Sequence, residues 1–238
     1  MLSISPDALI TVCYAFLGGL LPTLIWLWFW LREDDARPEP RILIATAFIT
    51  GMIAVPLVLP IQRYALDFFK PESLGLIFVW AAAEELMKFF LASIAVLWRK
   101  AVNEPVDEIL YMLTVALGFA ALENALFLLS SITSGDWIGS TLTGNLRFLG
   151  STLLHTLSSS TIGVALAMAF FKGFWTKRLY AVLGVILAIT LHTLFNYFII
   201  KTNGERTLVV FVAVWLGIIG LILFFERIKK MGRTPIRS

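Results

Sequence analysis

The chain has 238 residues, of which 59% are hydrophobic and only 15% are charged. Soluble domains carry about a quarter charged residues, so this composition excludes an ordinary soluble enzyme and predicts a chain whose main solvent is lipid. The net charge of +3 does not argue for nucleic acid, and we expect no nucleic-acid partner. The single cysteine, Cys13, excludes an internal disulfide and a multi-cysteine metal site.

Seven segments are long and apolar enough to cross a bilayer, which takes about 20 residues. In chain order they are 8–31, 42–62, 73–98, 109–131, 148–171, 179–200 and 207–225. The first is too long for a signal-peptide core and lacks a basic stretch before it, so we expect it to be retained. The sequence therefore predicts an all-α, polytopic bundle of about seven transmembrane helices that forms a single membrane domain over residues 1–238.

The basic residues between the spans predict the orientation of this bundle. With the N-terminus outside, 13 lysines and arginines lie in cytoplasmic segments and five lie in outside segments. Cytoplasmic loops carry the excess of basic residues, so an outside N-terminus and a cytoplasmic C-terminus are expected.

The third span contains three ionisable residues near its middle, Glu84, Glu85 and Lys88. Each charge costs roughly 2.5–3.5 kcal/mol at a helix centre. At about 100° per residue the three side chains share one helical face, so the lysine can reach either carboxylate. A structural ion pair and a functional site account for this motif equally well.

The later spans carry further polar residues: Glu123, Asn124, His155, His192 and Asn196. Helical rise places Glu84, Glu123 and both histidines roughly 10–17 Å below the outer surface. A lone histidine or asparagine in a membrane is often only a packing residue. Because two carboxylate sites, both histidines of the chain and an asparagine converge at one depth, we favour one functional site.

The motifs of this region run in the order Glu84-Glu85-x-x-Lys88, Pro105-x-Asp107, Tyr111, Gly118-Phe119-x-x-x-Glu123-Asn124, Arg147 then His155, and His192-x-x-x-Asn196. This order resembles that of the PrsW family of intramembrane proteases, relatives of the CAAX prenyl proteases, over about residues 80–200. Glu108 departs from the glycine expected after Asp107, at a position predicted to lie in a loop. The resemblance implies an integral protein of a bacterial or archaeal cell membrane that cleaves membrane-anchored proteins, as in the release of sigma factors by destruction of anti-sigma factors.

The candidate catalytic residues are Glu84, Glu85, Lys88, Glu123, His155, His192 and Asn196. Either carboxylate of the third span can serve as general base, with the lysine setting orientation and charge. Glu123, His155 and His192 match a catalytic zinc set of two histidines and one carboxylate, which makes zinc the candidate cofactor. In the alternative, the site holds no metal and Asn196 with a histidine stabilises the oxyanion. The spacing does not choose between these, because the groups come from separate helices.

Two other classes of function use similar residues. Intramembrane carboxylates and histidines also build proton or ion pathways in transporters, although paired interrupted helices are not evident here. A non-catalytic membrane scaffold is the other alternative, since the superfamily resemblance extends to a non-proteolytic subunit of gamma-secretase.

Overall fold

The structure is a computed structural model that describes residues 6–33, 38–134, 137–201 and 206–232, with side chains left undescribed at 6–8, 137–149, 207 and 231–232. Seven α-helices lie in these ranges: α1 Pro6–Glu33, α2 Arg41–Ala65, α3 Leu74–Ala92, α4 Pro105–Thr133, α5 Trp137–Met168, α6 Phe174–Lys201 and α7 Thr207–Gly232. A short π-helical turn, Ser93–Leu97, continues α3. The predicted all-α polytopic fold is confirmed, with span boundaries displaced by a few residues and most at the start of α5.

Five of these helices are long and apolar enough to cross a membrane, namely α1, α2, α4, α6 and α7. The 19-residue α3 falls outside this set because it contains three charged residues. The α5 helix is the other exception, and serines and threonines recur along its second half. The two helices that depart from a plain apolar span therefore both contribute side chains to the polar cluster described below.

Helix α4 is the central element, and it packs against α1, α2 and α5. Its N-terminus is fixed by a proline in the first turn and by a capping box in which the Glu104 and Asp107 side chains accept each other's backbone N–H groups. From Ile109 to Leu117 its side chains are fully buried. Burial on all sides makes α4 the scaffold against which the polar residues of its neighbours are positioned.

Helices α2 and α4 cross at unusually close range through a pair of glycines. A Cβ atom at Gly51 would lie 1.9 Å from the carbonyl oxygen of Val115, and one at Gly118 would lie 1.9 Å from that of Phe48. Only glycine allows two backbones to approach this closely. The crossing fixes α2 and α4 together five residues before Glu123 along α4.

The departure at Glu108 does not lie in a loop, contrary to the sequence prediction. Glu108 is in the first turn of α4 and is buried. Its carboxylate pairs with Lys177 of α6 at 2.6 Å. The α4 helix begins four residues earlier than its apolar run suggests, because the capping box and Pro105 extend it into the polar segment.

Candidate functional site

Four helices bring their polar residues together within the bundle. Glu84 follows the first residue of α3 by ten positions, Glu123 precedes the end of α4 by ten, and His192 precedes the end of α6 by nine. At about 1.5 Å per residue these positions are close to one level of the bundle. His155 of α5 meets all three there, so the convergence inferred from depth is present in the structure.

Glu85 lies at the fully buried centre of a hydrogen-bond network. Its Oε1 accepts from Lys88 Nζ at 2.6 Å, from Ser158 Oγ at 3.1 Å and lies 2.8 Å from His192 Nδ1. Its Oε2 accepts from Ser159 Oγ at 2.7 Å. A carboxylate with both oxygens engaged in this way is poorly placed to take up a proton from substrate water, and it is well placed to orient the histidine and the lysine.

The neighbouring carboxylate, Glu84, has the opposite character. Its Oε1 accepts from Gln62 Nε2 at 2.8 Å, but its Oε2 is buried without a hydrogen-bond partner among the described residues. That oxygen lies 3.6 Å from His192 Nε2 and 4.0 Å from His155 Nδ1. A buried carboxylate oxygen left without a donor needs compensation by a cation, a water molecule or substrate.

His155 connects the two carboxylates of α3 to Glu123. Its Nδ1 lies 3.0 Å from Lys88 Nζ, and its Nε2 lies 2.8 Å from Glu123 Oε2. Because an ammonium has only hydrogens to offer, this contact makes Nδ1 an acceptor and leaves the proton on Nε2, facing Glu123. The Phe119 ring covers the lysine, with Nζ 4.4 Å from its centroid, so the positive charge is held in a dry, aromatic environment.

The metal-capable group in the described residues is Glu84, His155 and His192, whose ligand atoms lie within 4.8 Å of one another. Two imidazoles and a carboxylate are a donor set that catalytic zinc accepts. The set of metal ligands predicted from the sequence contained Glu123, whereas the metal-capable group in the structure contains Glu84 in its place. Glu123 Oε2 instead contacts Nε2 of His155, and it accepts a hydrogen bond from Ser151 Oγ at 3.0 Å.

The remaining sequence candidates lie at the edge of this cluster. Asn124 is buried and donates to Thr152 Oγ1 at 3.0 Å, which ties α4 to α5. Asn196 is half-buried one turn beyond His192, and its assignment to the site stays a prediction. The Arg147 side chain lies outside the described residues. Gln62 was missed from sequence, although a lone amide in the apolar α2 is the kind of signal that marks a buried polar contact.

A cavity of about 280 Å³ opens beside the cluster, between the C-terminal halves of α2 and α4. Glu84 and Glu123 are both in its wall. The Glu123 side chain is 37% exposed, whereas those of Glu84, Glu85 and both histidines are almost completely enclosed. The polar cluster is therefore accessible from one side, at Glu84 and Glu123, the two carboxylates that do not pair with Lys88.

Comparison with known proteins identifies relatives of this chain and the family to which it belongs. The chain is 28% identical over 189 residues to Protease PrsW of Clostridioides difficile, covering 76% of this chain and 77% of the relative. It is 26% identical over 219 residues to Protease PrsW of Geobacillus kaustophilus (91% and 90%), and 28% identical over 224 residues to that of Oceanobacillus iheyensis (92% and 96%). No solved structure matches the chain.

A family model described as PrsW family intramembrane metalloprotease matches residues 39–222, a segment that contains every residue of the cluster. The predictions of an intramembrane peptidase and of an integral bacterial membrane protein are thereby confirmed. The chain belongs to the PrsW family of intramembrane metalloproteases.

Proposed function

We propose that the cluster of Glu84, His155 and His192 hydrolyses peptide bonds of membrane-anchored proteins, with water activated beside the Glu84 carboxylate. The observation that carries this is the buried Glu84 Oε2, which has no donor among the described residues and lies 3.6 Å and 4.0 Å from the two histidines. Peptide hydrolysis needs a positioned water and a group that receives its proton. The enclosed Glu84 oxygen supplies a position beside which the water can be held, either by a metal ion or, in the metal-free candidate below, by the carboxylate itself.

We assign zinc to the three residues Glu84, His155 and His192. Glu84 Oε2 lies 3.6 Å from His192 Nε2 and 4.0 Å from His155 Nδ1, and all three ligand atoms lie within 4.8 Å of one another, so a bound zinc would draw them closer together. When bound, zinc supplies a Lewis acid for the attacking water and the peptide carbonyl. The contact of His192 Nδ1 with Glu85 directs the other nitrogen toward Glu84, and histidines that bind zinc commonly donate their second ring nitrogen to a carboxylate in this way.

Glu123 is the group that we assign to proton transfer. It is the most exposed carboxylate of the cluster, it lines the cavity, and its Oε2 contacts His155 Nε2 and Ser151 Oγ. A carboxylate placed between a substrate cavity and an enclosed histidine can accept a proton from water and return it to the leaving amine. Glu85 and Lys88 hold the histidines in place and do not touch substrate.

A metal-free glutamate protease is the second candidate for the same reaction. The observation in its favour is Lys88 Nζ, which lies 3.0 Å from His155 Nδ1 and occupies a nitrogen that a metal would require. In this version Glu84 is the general base, and His192 with Asn196 stabilises the oxyanion. Metal content separates the two candidates, because residues of the cluster are needed in both.

The test uses the purified full chain with single-span reporter substrates, among them anti-sigma factors. The parent is expected to cleave, and Glu84→Gln and His192→Ala to lower the rate by about 1,000-fold or more, since a reacting group is lost. Glu226→Gln, a change on the partly exposed tail of α7, is the matched control and is expected to cleave normally. Parental rates in Glu84→Gln would refute the site.

Elemental analysis of the same preparations distinguishes the two chemistries. About one zinc per chain, lost in His155→Ala, is expected for the metal form. Full cleavage by a preparation that holds no metal and resists chelators would establish the metal-free form instead.

A further inference from the structure

The cavity between α2 and α4 combines two kinds of surface that a cleavable membrane segment requires. Its apolar walls come from both helices, and polar side chains lie among them: Val55, Val58, Leu59, Phe119, Leu126 and Phe127, with Gln62, Asn124 and Ser151. Glu84 and Glu123 close one side of it. The cavity is thus continuous with the cluster to which hydrolysis was assigned.

The enclosure of Glu84 keeps an intact helix away from it. The Glu84 side chain is only 7% exposed, at the inner side of the cavity. Because side chains cover the backbone of a helix that is about 10 Å in diameter, an intact helix at the cavity holds its peptide bonds away from Glu84. A substrate whose peptide bond is to reach Glu84 therefore has to unwind at that point.

Unwinding within a membrane leaves backbone N–H and C=O groups without partners, which costs several kcal/mol per group in hydrocarbon. Amide side chains are suited to this need because each offers both donors and an acceptor. Gln62 and Asn124 lie on opposite helices of the cavity, one on α2 and one on α4. One N–H of each amide is already engaged, with Glu84 and with Thr152, so the second N–H and the carbonyl oxygen of each are the groups that an unwound segment can use.

A second groove lies on the opposite flank of α2, against α3, and it gives a useful contrast. Its volume is about 430 Å³, and Ile61, Phe78, Ala82, Leu86 and Phe90 are among its lining residues. No ionisable or amide side chain is in this lining, and neither carboxylate of α3 is in its wall. It is a lipid-facing depression without access to the cluster.

We propose that the cavity between α2 and α4 binds the unwound scissile segment of the substrate, which enters from the lipid past Leu59 and Leu126 and places an aliphatic side chain against Val55, Val58 and Phe127. This rests on the proposed proteolytic function. Charged side chains are disfavoured at that substrate position, because Val55, Val58 and Phe127 offer them no partner there. Gln62 is a positioning residue, since it holds Glu84 through Oε1 while it lines the same cavity.

The route is tested by photocrosslinking in the full chain with Glu84→Gln, which halts cleavage. A benzophenone amino acid replaces Leu59, Leu126, Leu57 or Leu86, one position at a time, and a single-span reporter is added. Leu57 is the matched control, because it lies on the same helix as Leu59 with similar exposure, 45% against 39%, but does not line the cavity. Positions 59 and 126 are expected to crosslink at least about fivefold more than 57 and 86, because a segment bound in the cavity touches the residues that line it and not those outside it. Equal labelling at all four positions, or stronger labelling at 86, overturns the route.

Cleavage kinetics give a second, independent test of the proposed binding site. Leu59→Trp and Leu126→Trp are expected to lower kcat/KM by about tenfold, mostly through KM, because they fill the space for the substrate. Leu57→Trp is expected to change it less than twofold. Unchanged kinetics in both cavity variants overturn the proposal even where crosslinking fails. A parent that cleaves nothing refutes the proteolytic function, and the crosslinks then still report where the segment binds.

Discussion

Two regions of the bundle bury carboxylates, and they differ in how completely those carboxylates are matched. Around the start of α4, Asp107 accepts two backbone N–H groups at 2.8 Å, Glu108 pairs with Lys177, and Tyr111 donates to Glu39. In the middle of the bundle, Glu84 keeps one buried oxygen without a donor among the described residues. The first region has the contacts of a helix start, whereas the second leaves a buried carboxylate oxygen that can accept a further donor or bind a cation.

The difference shows that burial of charge is a weak indicator of function on its own. Both regions bury acidic groups, and both contain residues that belong to motifs of the family. Of the two regions, as far as their residues are described, the central cluster alone combines an unmatched carboxylate oxygen, two histidines whose ligand atoms lie within 4.8 Å of it and a cavity lined by Glu84 and Glu123. Unmet hydrogen-bonding capacity, more than charge, separates the reactive region from the structural one.

The largest expected effect comes from exchanging acid for amide in each region. Asp107→Asn keeps one acceptor oxygen for the backbone and is expected to change the cleavage rate by less than about fivefold, whereas Glu84→Gln removes the reacting group and lowers it about 1,000-fold. Rates on one reporter, measured for both variants at equal folded concentration, decide the matter. A comparable loss in both variants would erase the distinction between the regions.

The next effect concerns Glu85 and stability. Glu85→Gln leaves Lys88 in an enclosed position without its counter-ion, and breaking such a pair costs about 3–5 kcal/mol. Lys88→Met is expected to cost a similar amount, and the double variant less than the sum of the two. Thermal unfolding in mild detergent measures all three. Additive losses would show that the pair is not coupled, and Glu226→Gln, which breaks only a partly exposed ion pair with Lys229, serves as the control.

A smaller effect is expected at Glu108. Glu108→Gln weakens the contact with the partly exposed Lys177, so stability falls by about 1–3 kcal/mol with cleavage unchanged within twofold. Unfolding midpoints and cleavage rates are measured together. A loss of activity larger than the loss of folded protein would place Glu108 in the functional region.

The smallest effect comes from two adjacent serines of α5. Ser159→Ala removes the donor to Glu85 Oε2 and is expected to cost about 1 kcal/mol and to slow cleavage several-fold. Ser160→Ala is the matched control, because the Ser160 hydroxyl is buried without a partner among the described residues and its removal is neutral or stabilising. The same unfolding and cleavage assays apply, and equal behaviour of the two variants would contradict the network around Glu85.

Much of this architecture was predictable because hydropathy and helical rise act locally. Span length placed seven helices, and depth alone brought Glu84, Glu123, His155 and His192 to one level. The choice of Glu84 over Glu123 in the metal-capable group was not predictable, since it depends on how four helices rotate against one another. Gln62 was missed for the same reason, because its partner is 22 residues away in the next helix. The burial of Glu108 was obscured by polar residues that cap α4 and resemble a loop.

The glycine crossing of α2 and α4 gives the bundle a mechanical property. Gly51 and Gly118 hold the two backbones at a pivot that no side chain can loosen without displacing a carbonyl. Leu59 lies eight residues beyond Gly51, so a force at the mouth of the cavity acts on a lever of roughly 12 Å. Pro56 and Pro60 lie along that arm and remove helical hydrogen bonds from it, which makes it the compliant part of α2. We therefore expect the thickness or tension of the surrounding bilayer to change the width of the cavity more than the separation of the helices at the pivot.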